Sequence, residues 1–183
     1  ADESLDRCER DAISGDTCKI VVSKYWHDEL LKRFGTESTV IYNGIDPARY
    51  TFNASDREPF ALFVGGMEAR KGLEFAIEVL EILRRRGMNL TLTAVARPGF
   101  RATESKAWFD HLVERCNLAG KVRIYEMLPD VELAQLYSRA SVFLSTSRME
   151  GWGLSIMEAM ASGCPVVAAS VGGVKELIED GRT

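Results

Sequence analysis

Five short apolar runs, separated by stretches of helical periodicity, constrain this chain more than any other feature. They fall at residues 60–64, 89–96, 122–125, 141–144 and 165–169. Helical patterns lie between them at about 70–86, 103–117 and 131–138, with a short helix expected around Glu158 and a last one after Gly172-Gly173. Apolar runs that lack polar alternation read as strands buried on both faces. Strands that alternate with helices predict a parallel sheet covered on each side. The expected fold is therefore α/β, a doubly wound, Rossmann-like parallel sheet. In such a sheet the loops that follow the strands gather along one edge, where ligands bind. Those loops are 65–71, 96–101, 126–130, 145–153 and 170–174, and they hold most of the unusual residues.

Ahead of this pattern the chain is less regular. A polar amphipathic stretch covers about 3–14, and 19–23 reads as a strand. Trp26, Leu30, Leu31 and Phe34 repeat at helical spacing until Gly35 ends the helix. A strand at 39–42 runs into the Asn43-Gly44 turn, and residues 43–59, rich in Asn, Asp, Pro and Ser, read as a linker. The 183 residues suffice for one core, or for one domain and part of another.

A net charge of −4 argues against nucleic acid as a partner, because phosphate-backbone binding needs a basic face. Arg84-Arg85-Arg86 suits the wet C-terminal turn of a helix stopped by Gly87. No apolar run approaches the roughly 18 residues of a membrane span, and no signal peptide is visible. The chain begins at Ala1 rather than Met, which suggests trimming or a fragment. Cys8, Cys18, Cys116 and Cys164 lack metal-site spacing and are too sparse for a disulfide scaffold. Reduced thiols in a cytoplasmic protein are expected, with Cys164 a small buried residue.

The densest candidate stretch is Glu150-Gly-Trp-Gly-Leu-Ser-Ile-Met-Glu158. Its first acid lies in a Gly-flanked turn and its second inside the following helix. Three tasks suit such a pair: general acid and base, metal ligation, or accepting sugar hydroxyls. No Asp-x-Asp and no His cluster accompanies them, so metal ligation is weakly supported. For any single Glu a solvated surface position is the usual outcome. Leu154, Ile156, Met157 and Met160, however, leave this helix little polar face, so Glu158 needs a partner.

Arg70 and Lys71 stand at the expected start of a long helix, where the dipole disfavours cations. An anion would relieve that conflict, and Gly65 and Gly66 would let backbone approach it; side chains pointing into water are the alternative. The segment is not a P-loop, because Arg70 occupies the place of the Gly before the Lys. Gly151-x-Gly153 resembles the opening of a dinucleotide fingerprint, but Ile156 fills the place of the third Gly. Gly172-Gly173 and Glu176 read as a turn into a helix with an acidic first turn; as site features they add amides and a carboxylate to the same edge. Trp26 and Trp108 fit amphipathic faces as core aromatics. Trp152 either caps the sheet edge or shapes a pocket.

With these residues in place, the chain resembles the donor half of a retaining glycosyltransferase of family 4 with the GT-B fold, over residues 20–183. Glu150 through Val167 matches the family's Glu-(seven residues)-Glu signature with its trailing Ala-Met-Ala-x-Gly-x-Pro-Val-Val. Val64-Gly-Gly-Met-Glu-Ala-Arg-Lys-Gly72 resembles its diphosphate loop, and Val40-Ile-Tyr-Asn-Gly-Ile-Asp46 its interdomain linker. Gly172-Gly-Val-Lys-Glu176 is a fourth match. Four motifs in the right order are far more specific than any one alone.

The resemblance implies roles. Lys71 would bind the donor diphosphate, Glu150 hydroxyls of the transferred sugar, and Glu158 the ribose diol. Backbone around Gly151, Gly153, Leu154 and Ser155 would face the diphosphate. The base would lie near Met127 and Leu128. Many members carry Arg where this chain has Gly66, and Arg70 would supply that second charge. The implied reaction is metal-independent and cofactor-free transfer from a nucleoside-diphosphate sugar with retention, in glycan biosynthesis. Its electrostatic demand is the departing diphosphate.

Residues 1–47 would then be the remnant of an acceptor-side domain, 48–59 a linker, and 60–183 the donor-binding domain without its final helix. The acceptor, a glycan, lipid or small molecule, would enter through the missing domain, which could also place the protein at the cytoplasmic membrane face. A partner chain or second copy is expected over residues 1–47, and little transfer from this chain alone. The competing expectation is a non-catalytic nucleotide-sugar-binding subunit.

Overall fold

The computed structural model describes residues 13, 15, 17–53, 55–97 and 102–181, leaving aside the side chains of 102–105. The expected helical stretch at 3–14 lies almost entirely outside the described residues, as do residues 98–101 of one strand-end loop. In chain order the elements are β1 (Ile20–Val21), α1 (Lys24–Phe34), β2 (Thr39–Val40), β3 (Glu58–Gly66), α2 (Leu73–Arg85), β4 (Thr91–Arg97) and α3 (Ala102–Arg115). They continue as β5 (Val122–Tyr125), α4 (Asp130–Arg139), β6 (Ala140–Ser145), α5 (Leu154–Ala161), β7 (Val166–Ala168) and α6 (Val174–Leu177). Short 3-10 turns cover Pro47–Arg49 and Ala69–Lys71.

The chain packs as two units. The first holds residues 1–44, 150–153 and 170–183. In it β1 and β2 pair in parallel, Ile20 opposite Thr39. The Ser23 hydroxyl caps α1 by accepting from the Trp26 amide at 3.3 Å, and Gly35, at φ 65°, ends it. Ile20, Leu31 and Ile41 are exposed.

The second unit, residues 45–149 and 154–169, is built on a five-stranded parallel sheet in the order β5-β4-β3-β6-β7. Phe60 of β3 lies opposite Thr91 of β4, Leu92 of β4 opposite Val122 of β5, and Phe143 of β6 opposite Val166 of β7. Alternate residues of each strand face opposite sides. Ala61 and Phe63 of β3 join Leu92, Ala94 and Ala96 of β4 under Leu73, Ala76, Ile77 and Leu80 of α2 and Phe109 and Leu112 of α3, with Cys116 just past its end. Leu62 and Phe143 are register partners, and Phe143 meets the ring of Tyr137 on α4 at 5.6 Å between centroids. Burying one such Leu or Phe side chain stabilises by about 1.5–3 kcal/mol. This is the expected doubly wound α/β sheet.

Two expectations need correcting. The helix expected from residue 70 begins at Leu73, because Gly72 adopts φ 67° and separates it from the 3-10 turn. Trp108 is 41% exposed rather than core: Phe109 and Leu112 form the buried stripe of α3, and Trp108 lies off that stripe.

Candidate functional site

The first strand of the sheet, β3, has β4 on one side and β6 on the other, so chain direction across the sheet reverses between β3 and β6. The loops that leave their carboxyl ends part there, and that crevice is where an open α/β sheet takes its ligand. In this molecule the two loops are tied. The Thr146 hydroxyl donates to the Gly72 carbonyl at 2.7 Å, and the Arg148 amide donates to the Arg70 carbonyl at 2.8 Å.

Arg70 and Lys71 ride on the 3-10 turn of that first loop, so the helix-dipole conflict argued from the sequence does not arise at α2. Lys71 is half-buried, and its stem lies over β3: a Cβ on Gly65 would touch the Lys71 Cδ at 3.4 Å. The Arg70 Nε instead pairs with Glu68 at 3.0 Å. Glu68 also flanks Gly66, where a Cβ would stand 3.2 Å from its Oε1. An anion at this loop would compete with Glu68 for Arg70.

Gly65, Gly66, Met127 and Leu128, singled out separately in the sequence, line one cleft of about 420 Å³. It opens at the carboxyl ends of β3, β4 and β5, with Arg97, Glu126, Asp130 and Leu133 also on its wall. Met127 is 69% exposed. An exposed apolar side chain beside backbone free of Cβ atoms offers a flat surface for a ring. A cleft of about 400 Å³ opens instead around Glu58, Asn89 and Arg139, at the amino-terminal ends of the strands. Its volume is similar, and the topology of a parallel sheet favours the carboxyl edge.

Glu158 has the partner that its apolar helix demands. The Tyr137 hydroxyl donates to Glu158 Oε2 at 2.8 Å, from a side chain with no solvent exposure. Burial, then the adjacent carboxylate and the hydrogen bond to it, push the Tyr137 phenol well above its ordinary pKa. Tyr50 meets Tyr137 edge-on at 6.2 Å, and its pKa is pushed up to about 12 by burial first and the Glu158 carboxylate second. Tyr50 and Glu158 line a second cleft of about 210 Å³, whose wall shares Asp130 and Leu133 with the larger one. Asp130 pairs with Arg49.

Leu154 and Ser155 open α5, and Gly153 before them holds φ 107°, a conformation that only glycine adopts readily. The first-turn N–H groups of a helix have no carbonyl partner within it, so they remain available to a ligand or to capping groups.

Glu150, Gly151, Trp152 and Gly153 belong to the first unit. The Glu150 carbonyl accepts from the Gly173 amide at 3.2 Å. A Cβ on Gly172 would stand 2.0 Å from the Glu150 carbonyl oxygen, and one on Gly173 2.4 Å from that of Gly151. The paired glycines are thus needed for backbone contact, and the Gly173 amide is spent there rather than offered to a ligand. Glu176 is likewise occupied: it accepts from the Lys24 and Tyr25 amides at 3.1 and 2.9 Å and from the Tyr42 hydroxyl at 3.1 Å. Trp152 is buried, stacks on Tyr42 at 4.5 Å and donates to the Asn43 carbonyl at 2.8 Å, which makes it a packing residue of this unit.

The sequence reading missed Tyr50, Asp130 and Tyr137. Tyr137 carried a signal: a phenol placed among the apolar residues of α4 needs a buried acceptor. Tyr50 lay in a stretch read as linker and carried none. Among the described residues no cluster of three or more His, Cys, Asp or Glu is placed to hold a metal ion, and no helix is long and apolar enough to cross a membrane.

The fold is a doubly wound α/β unit with a cleft at the carboxyl ends of β3, β4 and β5. Residues 46–183 match the family described as glycosyl transferases group 1, and the chain belongs to that family. Over 172 residues it is 35% identical to the glycogen synthase of Mycobacterium tuberculosis, a match covering 90% of this chain and 40% of that protein. It superimposes on the sucrose-phosphate synthase of Thermosynechococcus elongatus with a TM-score of 0.84 and 26% identity, covering 97% of this chain and 47% of that one. Anabaena HepE in complex with UDP and glucose gives a TM-score of 0.80 at 25% identity, covering 93% and 49%. These structural neighbours are GT-B glycosyltransferases. The chain spans between 29% and 45% of the length of the curated relatives compared with it.

Proposed function

We propose that this chain binds the nucleoside-diphosphate sugar for a retaining, family 4 glycosyl transfer that needs no metal or other cofactor. The observation that carries the reading is the cleft at the carboxyl edge, where Gly65, Gly66, Met127 and Leu128 converge beside a loop that holds Lys71. The base rests against Met127 and Leu128, and the Lys71 ammonium takes the diphosphate. Amides at the start of α5, around Leu154 and Ser155, help to hold that diphosphate, as helix N-termini do. Glu158 accepts from the ribose diol, and Glu150 is assigned hydroxyls of the transferred sugar. Arg70 adds a second charge once it leaves Glu68.

In this reading the protein's contribution to the chemistry is positioning and stabilisation of the departing diphosphate. The acceptor, a glycan, lipid or small molecule, is bound by residues outside 60–183, and the chain alone binds donor but transfers little sugar. Reduced thiols and the acidic composition suit a cytoplasmic setting. HepE, seen with UDP and glucose, supports a nucleotide-sugar ligand by likeness.

The test is calorimetric titration with UDP, GDP and ADP. Binding of one of them that weakens at least about tenfold in Lys71→Ala, the loss expected for one charged hydrogen bond, supports the proposal. Equal affinity in the Lys71→Ala and Glu158→Ala variants would overturn the site.

A further inference from the structure

We propose that Tyr137, together with Tyr50, is a positioning residue for Glu158, fixing its carboxylate so that a vicinal diol meets an oriented acceptor. The inference rests on the donor-site reading above and adds to it two residues that the motif does not contain.

The geometry is specific. Glu158 projects from α5, a helix whose other side chains are largely apolar. Tyr137 reaches it from α4, with its ring packed on Phe143 and its hydroxyl 2.8 Å from Oε2. The ring is wholly buried, so the hydroxyl has no water to turn to. A buried donor with one charged acceptor locks both partners, because leaving either unpaired is costly. Tyr50 approaches from the segment before β3 and lies with Glu158 on the wall of the smaller cleft. Both phenols stay protonated well above neutral pH, so neither sets a second negative charge against the Glu158 carboxylate. Tyr137 takes Oε2, which leaves Oε1 for a ligand hydroxyl.

This arrangement makes a claim that mere packing does not: discrimination between ribose and deoxyribose depends on Tyr137. The probe is whichever of UDP, GDP or ADP binds most tightly, compared with its 2′-deoxy and 3′-deoxy forms. The wild type is expected to prefer the ribonucleotide about tenfold, the size of one lost charged hydrogen bond. Glu158→Gln and Tyr137→Phe should each collapse that preference by weakening the ribonucleotide more than either deoxy form. An unchanged circular dichroism spectrum and thermal midpoint report that the fold is intact. Should Tyr137→Phe fail to fold, Tyr50→Phe is read in the same way. If Glu158→Gln collapses the preference and the tyrosine variants keep it, the positioning inference fails and the donor reading stands. If the wild type binds none of the three, or shows no preference, both fail.

Discussion

A Cβ on Gly72 would stand 2.1 Å from the carbonyl oxygen of Thr146, so the loops after β3 and β6 meet where only glycine fits. Gly72 also holds φ 67°, which costs an L side chain roughly 1–2 kcal/mol before any clash. Gly72→Ala is therefore expected to lower stability by more than about 2 kcal/mol. Thr146→Val loses only the hydroxyl donated to the Gly72 carbonyl and should cost about 1 kcal/mol. Urea unfolding of the two variants checks the order; equal costs would mean that the close approach is not maintained in solution.

Arg57 carries a larger share of the second unit than its place in a polar segment suggests. One guanidinium nitrogen donates to the Tyr137, Ser138 and Ala140 carbonyls at 3.4, 3.3 and 2.8 Å, around the end of α4. The other donates to the Ser162 and Gly163 carbonyls at 3.3 and 2.6 Å, just past α5, and to Asn53. A cation at two helix C-termini satisfies orphan carbonyls and both dipoles. Arg57→Ala is expected to cost about 2–4 kcal/mol, since hydrogen bonds to charged groups are worth roughly 1.5–3 kcal/mol each but do not add. Arg57→Lys should recover less than half, because a single ammonium cannot span both ends. A full rescue by lysine would refute the two-ended clamp.

The sheet was legible because burial on both faces writes itself as uninterrupted apolar runs, and 122–125 matches β5 residue for residue. Parallel topology made it legible that the loops of Gly65 and Gly66 and of Met127 and Leu128 share one edge, whereas Met127 and Leu128 themselves were named only by the family resemblance. What stayed hidden depends on contacts distant in sequence. Nothing near Arg57 signals carbonyls 80 and 105 residues away. Gly172 and Gly173 read equally well as ligand-facing amides until the Glu150 and Gly151 carbonyls are seen against them. Trp108 misled because helical periodicity alone does not say which of two adjacent apolar residues faces in; Phe109 does.

Glu176 caps a helix that begins 152 residues earlier in the chain, through the Lys24 and Tyr25 amides. Its carboxylate at the N-terminus of α1 also complements the dipole. Glu176→Ala should destabilise the first unit by about 1 kcal/mol, the usual cost of losing a cap, and speed amide exchange at Lys24 and Tyr25. Protection at those two amides that survives the substitution would show that the Glu176 carboxylate is not what holds them.

The thiols should separate by reactivity. Cys18 is exposed, whereas Cys116 and Cys164 are buried, and burial raises the pKa of both buried thiols. Only the thiolate attacks disulfide reagents. Mass mapping after mild modification at neutral pH should find Cys18 labelled, and Cys116 and Cys164 protected until urea unfolds the chain. Early labelling of Cys164 would contradict its place between α5 and β7.

Tyr50 gives the folded protein an alkaline limit with a definite sign. Its pKa rises from 10.0 to about 12, with burial the largest cause and the Glu158 carboxylate next. An unfolded chain sheds this proton near pH 10 while the folded one keeps it, so folding holds more protons in that window. Stability therefore falls as pH rises from about 10 to about 12, and the contribution is whole below pH 10. Tyr137, shifted in the same direction, adds to the same loss. Tyr50→Phe should flatten the decline in unfolding free energy over that interval and leave the slope below it unchanged. Glu158→Gln should lower the Tyr50 pKa, read from tyrosinate absorbance, yet leave it above 10.0, because burial remains. A Tyr50 titration at its ordinary value in the wild type would mean that the phenol is in water, away from Glu158.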